Sequence, residues 1–510
     1  MTQYFFMKKQ IQVLVAVVSA LVITMLFHYK EIGLNLLLVE IPVFIWLLWT
    51  KQIKLYNYIQ ISLFVATLLT GFATVLVYSI LSYVVHFMLL FVFVGLMIYP
   101  ETKSLLTSIS LSIVNLWKSQ LNFLHHLNEV KWGKFKIGRM IRFVLVLIIP
   151  ILVILLFIGI YRASNPVFND YMENIGVYLD KFWNFIIKYV DMSVILTFIL
   201  SLGISSFVLI RSTTPQFIEI DQKSSEFLKR KRGFSFVPFH NLSLKRELQS
   251  AIFLLVVLNG LLLLLNMIDM KSVWFGFEWK GETLKDFVHE GTYYLIFSIL
   301  ISIAIILFYF RKNLNFYLKN KWLKRLSYVW LIQNGFLAIT VLIRTFLYIQ
   351  HFALAYKRIG VIIFLILTIY GLYTVFIKVK DKKSIFYLFK MNSFAFFMVL
   401  SVAALFNWDL IIAKYNFKHY ETSFVHLDFM AGLSHKTLPY LDKSIEELNN
   451  IDSVQTIKFM FRGDYFMTPE DYILRIEKEK EEFKMNWENK SFLSWNLPEY
   501  LAYKKLFNNH

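Results

Sequence analysis

Eleven apolar blocks, each 17 to 22 residues long and nearly free of charge, punctuate this 510-residue chain. A helix needs about 20 such residues to cross the hydrocarbon core of a bilayer. The blocks fall at 11–27, 32–49, 58–77, 81–99, 141–161, 192–210, 247–266, 291–310, 329–350, 359–377 and 386–406. The stretch from 58 to 99 is too long for one crossing, and a tight hairpin near Tyr78 to Ser82 divides it. The first block follows Lys8 and Lys9 as a signal peptide would. It lacks a small-residue cleavage site and further blocks follow at once, so it reads as an uncleaved anchor. The expected fold is all-α: a polytopic transmembrane helix bundle of about 11 spans over residues 1–407, then a small soluble helical tail over 408–510.

Charge sets the direction of threading. Only 17% of residues are charged, against roughly 25% in soluble chains. The net charge of +19 requires no nucleic-acid partner, because the placement of the basic residues explains it. With the N-terminus inside, the inner segments 1–10, 50–57, 100–142, 211–246, 311–328 and 378–390 carry 30 Lys and Arg. The outer loops 28–31, 78–82, 162–190, 267–290 and 351–358 carry 9. The positive-inside rule then gives an N-in, C-out chain with an extracytoplasmic tail. Cysteine is absent, which excludes disulfides, thiolate metal sites and cysteine nucleophiles.

Several stretches outside the spans carry structure. Residues 104–124 and 166–188 are amphipathic. Each can lie flat at the headgroups or pack on the protein's own spans. In the second, Phe168, Tyr171, Ile175, Phe182 and Phe185 recur at helical spacing. The basic run at 229–232 suits anionic lipid, although topology alone accounts for its charge. In the tail, Thr468-Pro469-Glu470-Asp471 has the form of a helix start, predicting a helix over 469–488. Leu438, Leu441, Ile445 and Leu448 predict an amphipathic helix over 436–450. Three to five short tail helices are expected, with a possible protein partner.

Polar residues inside the spans are the strongest functional signal, since each is costly in hydrocarbon unless paired. From a rise of about 1.5 Å per residue, Glu40 lies about 13 Å from the outer end of its span, His86 and Arg344 about 9 Å, and Asn259 about 10 Å. Arg344, Tyr348 and His351 share one helical face. These residues, Glu40, His86, Asn259, Arg344 and Tyr348, are candidate binding residues for an outward-facing polar cavity with a Glu40–Arg344 pair as its floor. The alternative is structural pairing within the bundle. No phosphate loop, H-E-x-x-H or G-x-S-x-G motif is present. The His125-His126 dyad has no third ligand at useful spacing, so no metal and no cofactor are expected.

The segment YRASNPVF (161–168) resembles a hallmark of a bacterial multi-pass inner-membrane family known only as a domain of unknown function. Members typically read A-D-P-V-F there; Asn165 stands here in place of Asp, before Pro166 and Phe168. FVHEGTYYLI (287–296, with Glu290), IRTFLYIQHFALAYKRIG (343–360, with Arg344, Tyr348 and Arg358), NWDLIIAKYNF (407–417, with Asn407), LDFMAGLSHKTLPYL (427–441) and SWNLPEYLAYKKL (494–506, with Trp495 and Asn496) are also similar. The resemblance spans about residues 140 to 506. It implies a bacterial inner-membrane protein and brings no activity with it. Function remains open among a transport or lipid-handling protein, a non-enzymatic sensory or scaffolding component whose tail binds a partner, and an envelope enzyme on a lipid-linked substrate.

Overall fold

A computed structural model describes residues 9–127, 131–132, 135–189, 191–230, 244–275, 283–311, 313–459 and 467–507. Helices dominate. The first half of the chain forms α1 (Lys9–Phe27), α2 (Leu34–Trp49), α3 (Tyr58–Leu76), α4 (Ile80–Ile98), α5 (Leu105–Leu127), α6 (Ile137–Ser164), α7 (Pro166–Tyr189), α8 (Met192–Leu209) and α9 (Pro215–Lys223). The second half continues with α10 (Leu244–Asp269), α11 (Thr283–Tyr309), α12 (Lys321–Phe352), α13 (Tyr356–Asp381) and α14 (Ile385–Ala404). The tail folds as α15 (Trp408–Lys418), α16 (Leu427–Ala431), α17 (Leu438–Leu441), α18 (Ile445–Lys458), α19 (Pro469–Glu488) and α20 (Leu497–Phe507). Among the described residues, nine helices are long and apolar enough to cross a membrane, and α2 and residues 149–164 of α6 are shorter apolar helices.

Local chemistry explains the boundaries. The Asn57 side chain caps α3 through Gln60 N–H, and Gln60 bonds back to the cap. Ser79 and Ser82 do the same for α4. Between these helices the chain reverses through Tyr78, a non-glycine residue at φ 52°. Thr468 caps α19, with Pro469 in its first turn. The helix expected over 436–450 is broken. The side chain of Ser444 accepts from Glu447 N–H and starts α18 afresh, so Ile445 is exposed while Leu438, Leu441 and Leu448 stay buried.

The burial pattern is inverted relative to a soluble protein. On α10, Asn259, Asn266 and Asp269 are buried while Phe253, Leu261, Leu264 and Ile268 are exposed. α5 repeats this: Ser108, Ser112, Asn115 and Ser119 face the protein, and Ile113, Trp117 and Leu121 face outward. Exposed apolar faces over buried polar seams are what a hydrocarbon solvent selects. α5 therefore packs on the bundle. Gly95 of α4 lets it approach so closely that a Cβ there would lie 2.0 Å from the Ser108 carbonyl oxygen.

Two helical halves share one spacer. Residues of α10–α13 form one core with Tyr387 and Leu388 of α14. Residues of α2–α4 form another with Phe397 and Ala404 at the far end of that helix. The tail buries its own core of Ile412, Met430, Leu441, Leu448, Tyr472 and Phe483, which Ile359 of α13 joins.

Loop contacts fall into two sets. At one end, Arg211 reaches Gln52 and the Met97 carbonyl, Lys103 N–H donates to Asp221 (2.9 Å), and Ser384 N–H donates to the Glu226 carbonyl (2.8 Å). At the other end, His28 meets Asp191 (3.4 Å), and the α1–α2, α3–α4 and α12–α13 turns all meet the tail.

Gly95→Ala is expected to lower bundle stability by about 1–3 kcal/mol, the usual cost of overpacking. Gly159→Ala, with no neighbour within 4 Å, should leave it unchanged. Thermal unfolding in detergent measures both.

Candidate functional site

Glu40 finds its partner within its own half of the bundle. Its Oε1 lies 2.7 Å from His86 Nε2, with His86 fully buried. The other ring nitrogen, Nδ1, is 3.2 Å from Thr70 Oγ1. The Thr70 hydroxyl donates to the Ala66 carbonyl (2.8 Å), which leaves its oxygen to accept from Nδ1–H. That assigns one proton to Nδ1. Nε2 and Oε1 are hydrogen-bond partners at the 2.7 Å separation. Gly71 clears the space: a Cβ there would sit 3.2 Å from both Glu40 Oε2 and His86 Cε1. Three helices are thus joined through one imidazole ring.

Arg344 sits in the other half and pairs with Asp269 at the end of α10, Nη2 to Oδ1 at 2.5 Å. Both side chains are buried. Gly291 at the membrane-spanning part of α11 lies against the guanidinium, its added Cβ being 3.5 Å from Nη1. The Glu40–Arg344 pair expected from depth does not form. Depth fixes height along a helix and says nothing of which neighbour stands beside it. Asp269 lies three residues past the apolar block 247–266, and α10 continues through it.

Asn259 belongs with Arg344. α10 and α12 run parallel in constant register: Asn259 Nδ2 donates to the Leu326 carbonyl (3.2 Å) and Asn266 Nδ2 to the Gln333 carbonyl (3.3 Å). Gln333 Nε2 closes back on Asn259 Oδ1 (2.9 Å). Tyr348, one turn beyond Arg344, instead stacks under Arg358, 4.5 Å from guanidinium to ring centroid. Arg358 donates to the Phe352 and Ala353 carbonyls, and Ala353 takes a left-handed φ of 63°. These two family-like residues therefore shape the α12–α13 turn.

The tail grips three turns at one end of the bundle. Asn416 holds Leu354 by both backbone groups, accepting at 2.7 Å and donating at 3.0 Å. Ser423 Oγ donates to the Gln350 carbonyl and Phe424 N–H to the His351 carbonyl, each at 2.8 Å. Lys436, buried in the tail, donates to the Val77 and Tyr78 carbonyls and pairs with Asp409 at 3.0 Å. Lys490 pairs with Glu31 (2.8 Å) and Glu499 (2.6 Å) over the Tyr78 ring. Leu34 N–H donates to the Trp495 carbonyl and Ser494 Oγ to the Glu31 carbonyl, both at 3.0 Å. Gly33 makes this hook possible, since a Cβ would lie 2.5 Å from the Ser494 carbonyl carbon.

Other motif residues act as caps. Asn496 accepts from Glu499 N–H and donates to its carboxylate, starting α20 and holding Glu499 toward Lys490. Asn407 caps α15 and Asn165 caps α7 ahead of Pro166, while Phe168 packs edge-on against Tyr161. Glu290 falls in α11, and its side chain lies outside the described residues. Of the basic run, Lys229 and Arg230 are exposed, and 231–232 lie outside the description.

The chain belongs to the family described as a domain of unknown function, DUF4153. The match runs over residues 2–444. It begins far ahead of the first motif noted above and ends at the Ser444 cap, so the Ser494–Asn496 hook lies beyond it. No curated protein and no solved structure matches the chain.

Removing Arg344 (Arg344→Met) leaves a buried carboxylate and is expected to cost about 3–5 kcal/mol, most of it recovered in the Asp269→Leu/Arg344→Met double variant. Glu40→Gln and Arg344→Met should be additive to within about 0.5 kcal/mol, because the sites share no partner. Double-mutant cycles on thermal unfolding test both statements.

The tail contacts also predict a pH response. The Lys490 hydrogen bond holds Glu31 below the usual carboxylate range. Burial pushes Asp409 up, but Lys436, Ser434 and Tyr356 together bring it below that range. Depressed carboxylates stabilise the folded form above their unfolded values and lose that contribution as pH falls through the folded ones. Tail docking should be complete at neutral pH and weaken below about pH 4, seen as faster proteolysis of the tail.

Proposed function

We propose that this protein is a non-enzymatic membrane component whose C-terminal module is an outer clasp. The observation that carries this reading is the set of turns the tail holds. Two belong to the N-terminal half, at Glu31–Leu34 and Val77–Tyr78. One belongs to the C-terminal half, at Gln350–Leu354. The tail thus sets how the two halves stand to one another, the property of a scaffold or a sensor. At the opposite end Glu226 plays a matching part, pairing with Lys390 (2.6 Å) and Lys383 (3.7 Å) near the α13–α14 turn.

The asymmetry of 30 against 9 basic residues supports an N-in, C-out arrangement in a bacterial cytoplasmic membrane. The clasp then lies on the extracytoplasmic face, where a partner or an envelope change can reach it. A transport reading through one Glu40–Arg344 cavity loses its basis, because each residue is held by a different partner.

The natural absence of cysteine makes the test direct. A single Ser453→Cys on the exposed face of α18 should react with a membrane-impermeant maleimide in intact cells. Reaction only after permeabilisation would reject the outward tail. Gly33→Val is expected to release the hook, raise tail proteolysis at least tenfold and abolish any growth phenotype that depends on the gene. Retention of the phenotype by both Gly33→Val and a chain ending at 407 would overturn the clasp.

A further inference from the structure

The seam that α12 forms with α10 and α11 holds more acceptors than donors. Asn266 Oδ1, Asp269 Oδ2 and Asn334 Oδ1 are buried oxygens without a hydrogen-bond partner, as are Gln333 Oε1 and Thr292 Oγ1. Asn266, Asp269, Thr292 and Asn334 are each at least nine-tenths buried. The amide nitrogens of Asn266, Gln333 and Asn334 are all engaged, with the Gln333 carbonyl, Asn259 and the Trp330 carbonyl. Rotating an amide would only exchange an orphan oxygen for an orphan nitrogen. Each orphan acceptor in a dry interior costs about 1–3 kcal/mol, and several in one seam are not tolerated without a donor.

A second feature marks the same place. Immediately after Asp269 the chain widens into a π-helical turn, Met270–Phe275. Such turns are rare and gather at functional sites. Its Trp274 lies flat on Phe336 of α12 (centroids 4.9 Å apart) and donates to Thr340 (3.1 Å), one turn before Arg344.

We propose that this seam is an internal water-binding site between Asn259 and Asp269, entered from the clasp face beneath Trp274. Water is the ligand the oxygens select. It brings two donors per molecule, adds no charge beside the neutral Asp269–Arg344 pair, and bridges neighbouring acceptors. A cation would leave an uncompensated charge in hydrocarbon, where it is strongly disfavoured. The site gives the C-terminal half a polar interior reaching from one end toward mid-membrane, while Glu40–His86 closes the other half.

A methanethiosulfonate reagent carrying an aminoethyl group tests this, since it modifies thiolates, which form in water and not in lipid. In the otherwise cysteine-free full-length protein, Asn266→Cys and Asn334→Cys should react at least tenfold faster than Met267→Cys, which is exposed to lipid at the same depth. Equal, slow reaction at all three positions would overturn the proposal. A second measurement is independent of labelling: Asn334→Leu should lower the unfolding temperature if its oxygen binds water. A rise would mean that the oxygen is dry and refute the site.

Discussion

A carboxylate at hydrocarbon depth has to meet a proton or a cation, and the packing of both helical halves follows from where Glu40 and Asp269 meet theirs. Water is not there to compensate, so a partner is held even at the cost of side-chain freedom. Glu40 takes His86, and the space for that contact requires Gly71 on the helix between them. Asp269 takes Arg344, and α10 must extend past its apolar block to bring it there. Two separate ionisable centres divide the bundle into two bodies, with α14 packed on both.

The two centres differ in kind. The carboxylate–imidazole pair rests on a single hydrogen bond. The carboxylate–guanidinium pair is fixed, because arginine does not give up its proton. One centre is suited to rearrangement and the other to rigidity. The rigid one lies beside the polar seam and the π-helical turn, where fixed geometry would keep acceptors from collapsing together.

Much of the helical plan was legible because hydrocarbon imposes a length on apolar blocks. Each expected block falls on one helix, and the Thr468 cap and Pro469 foretold α19 to the residue. Depth was legible for the same reason. Pairing was not, since partners are chosen by rotation about each helix and by neighbours distant in sequence. Asp269 was passed over for standing a few residues outside its block. The Ser444–Glu447 spacing, a capping signature, was readable and was outweighed by a longer apolar periodicity. The clasp was the least legible part. It rests on backbone carbonyls at Trp495, Val77 and Gln350, to which side-chain patterns give no access.

The hook between Ser494 and the α1–α2 turn joins residues more than 460 positions apart. A membrane chain is inserted from its N-terminus, so the Leu34 N–H waits for its acceptor at Trp495 until every span has been made. The first turn between spans is therefore completed only after all the spans that follow it. Loss of the segment from Ser494 onward leaves every span in place and that edge unsealed, so the hook ties the first inter-span turn to chain made long after it.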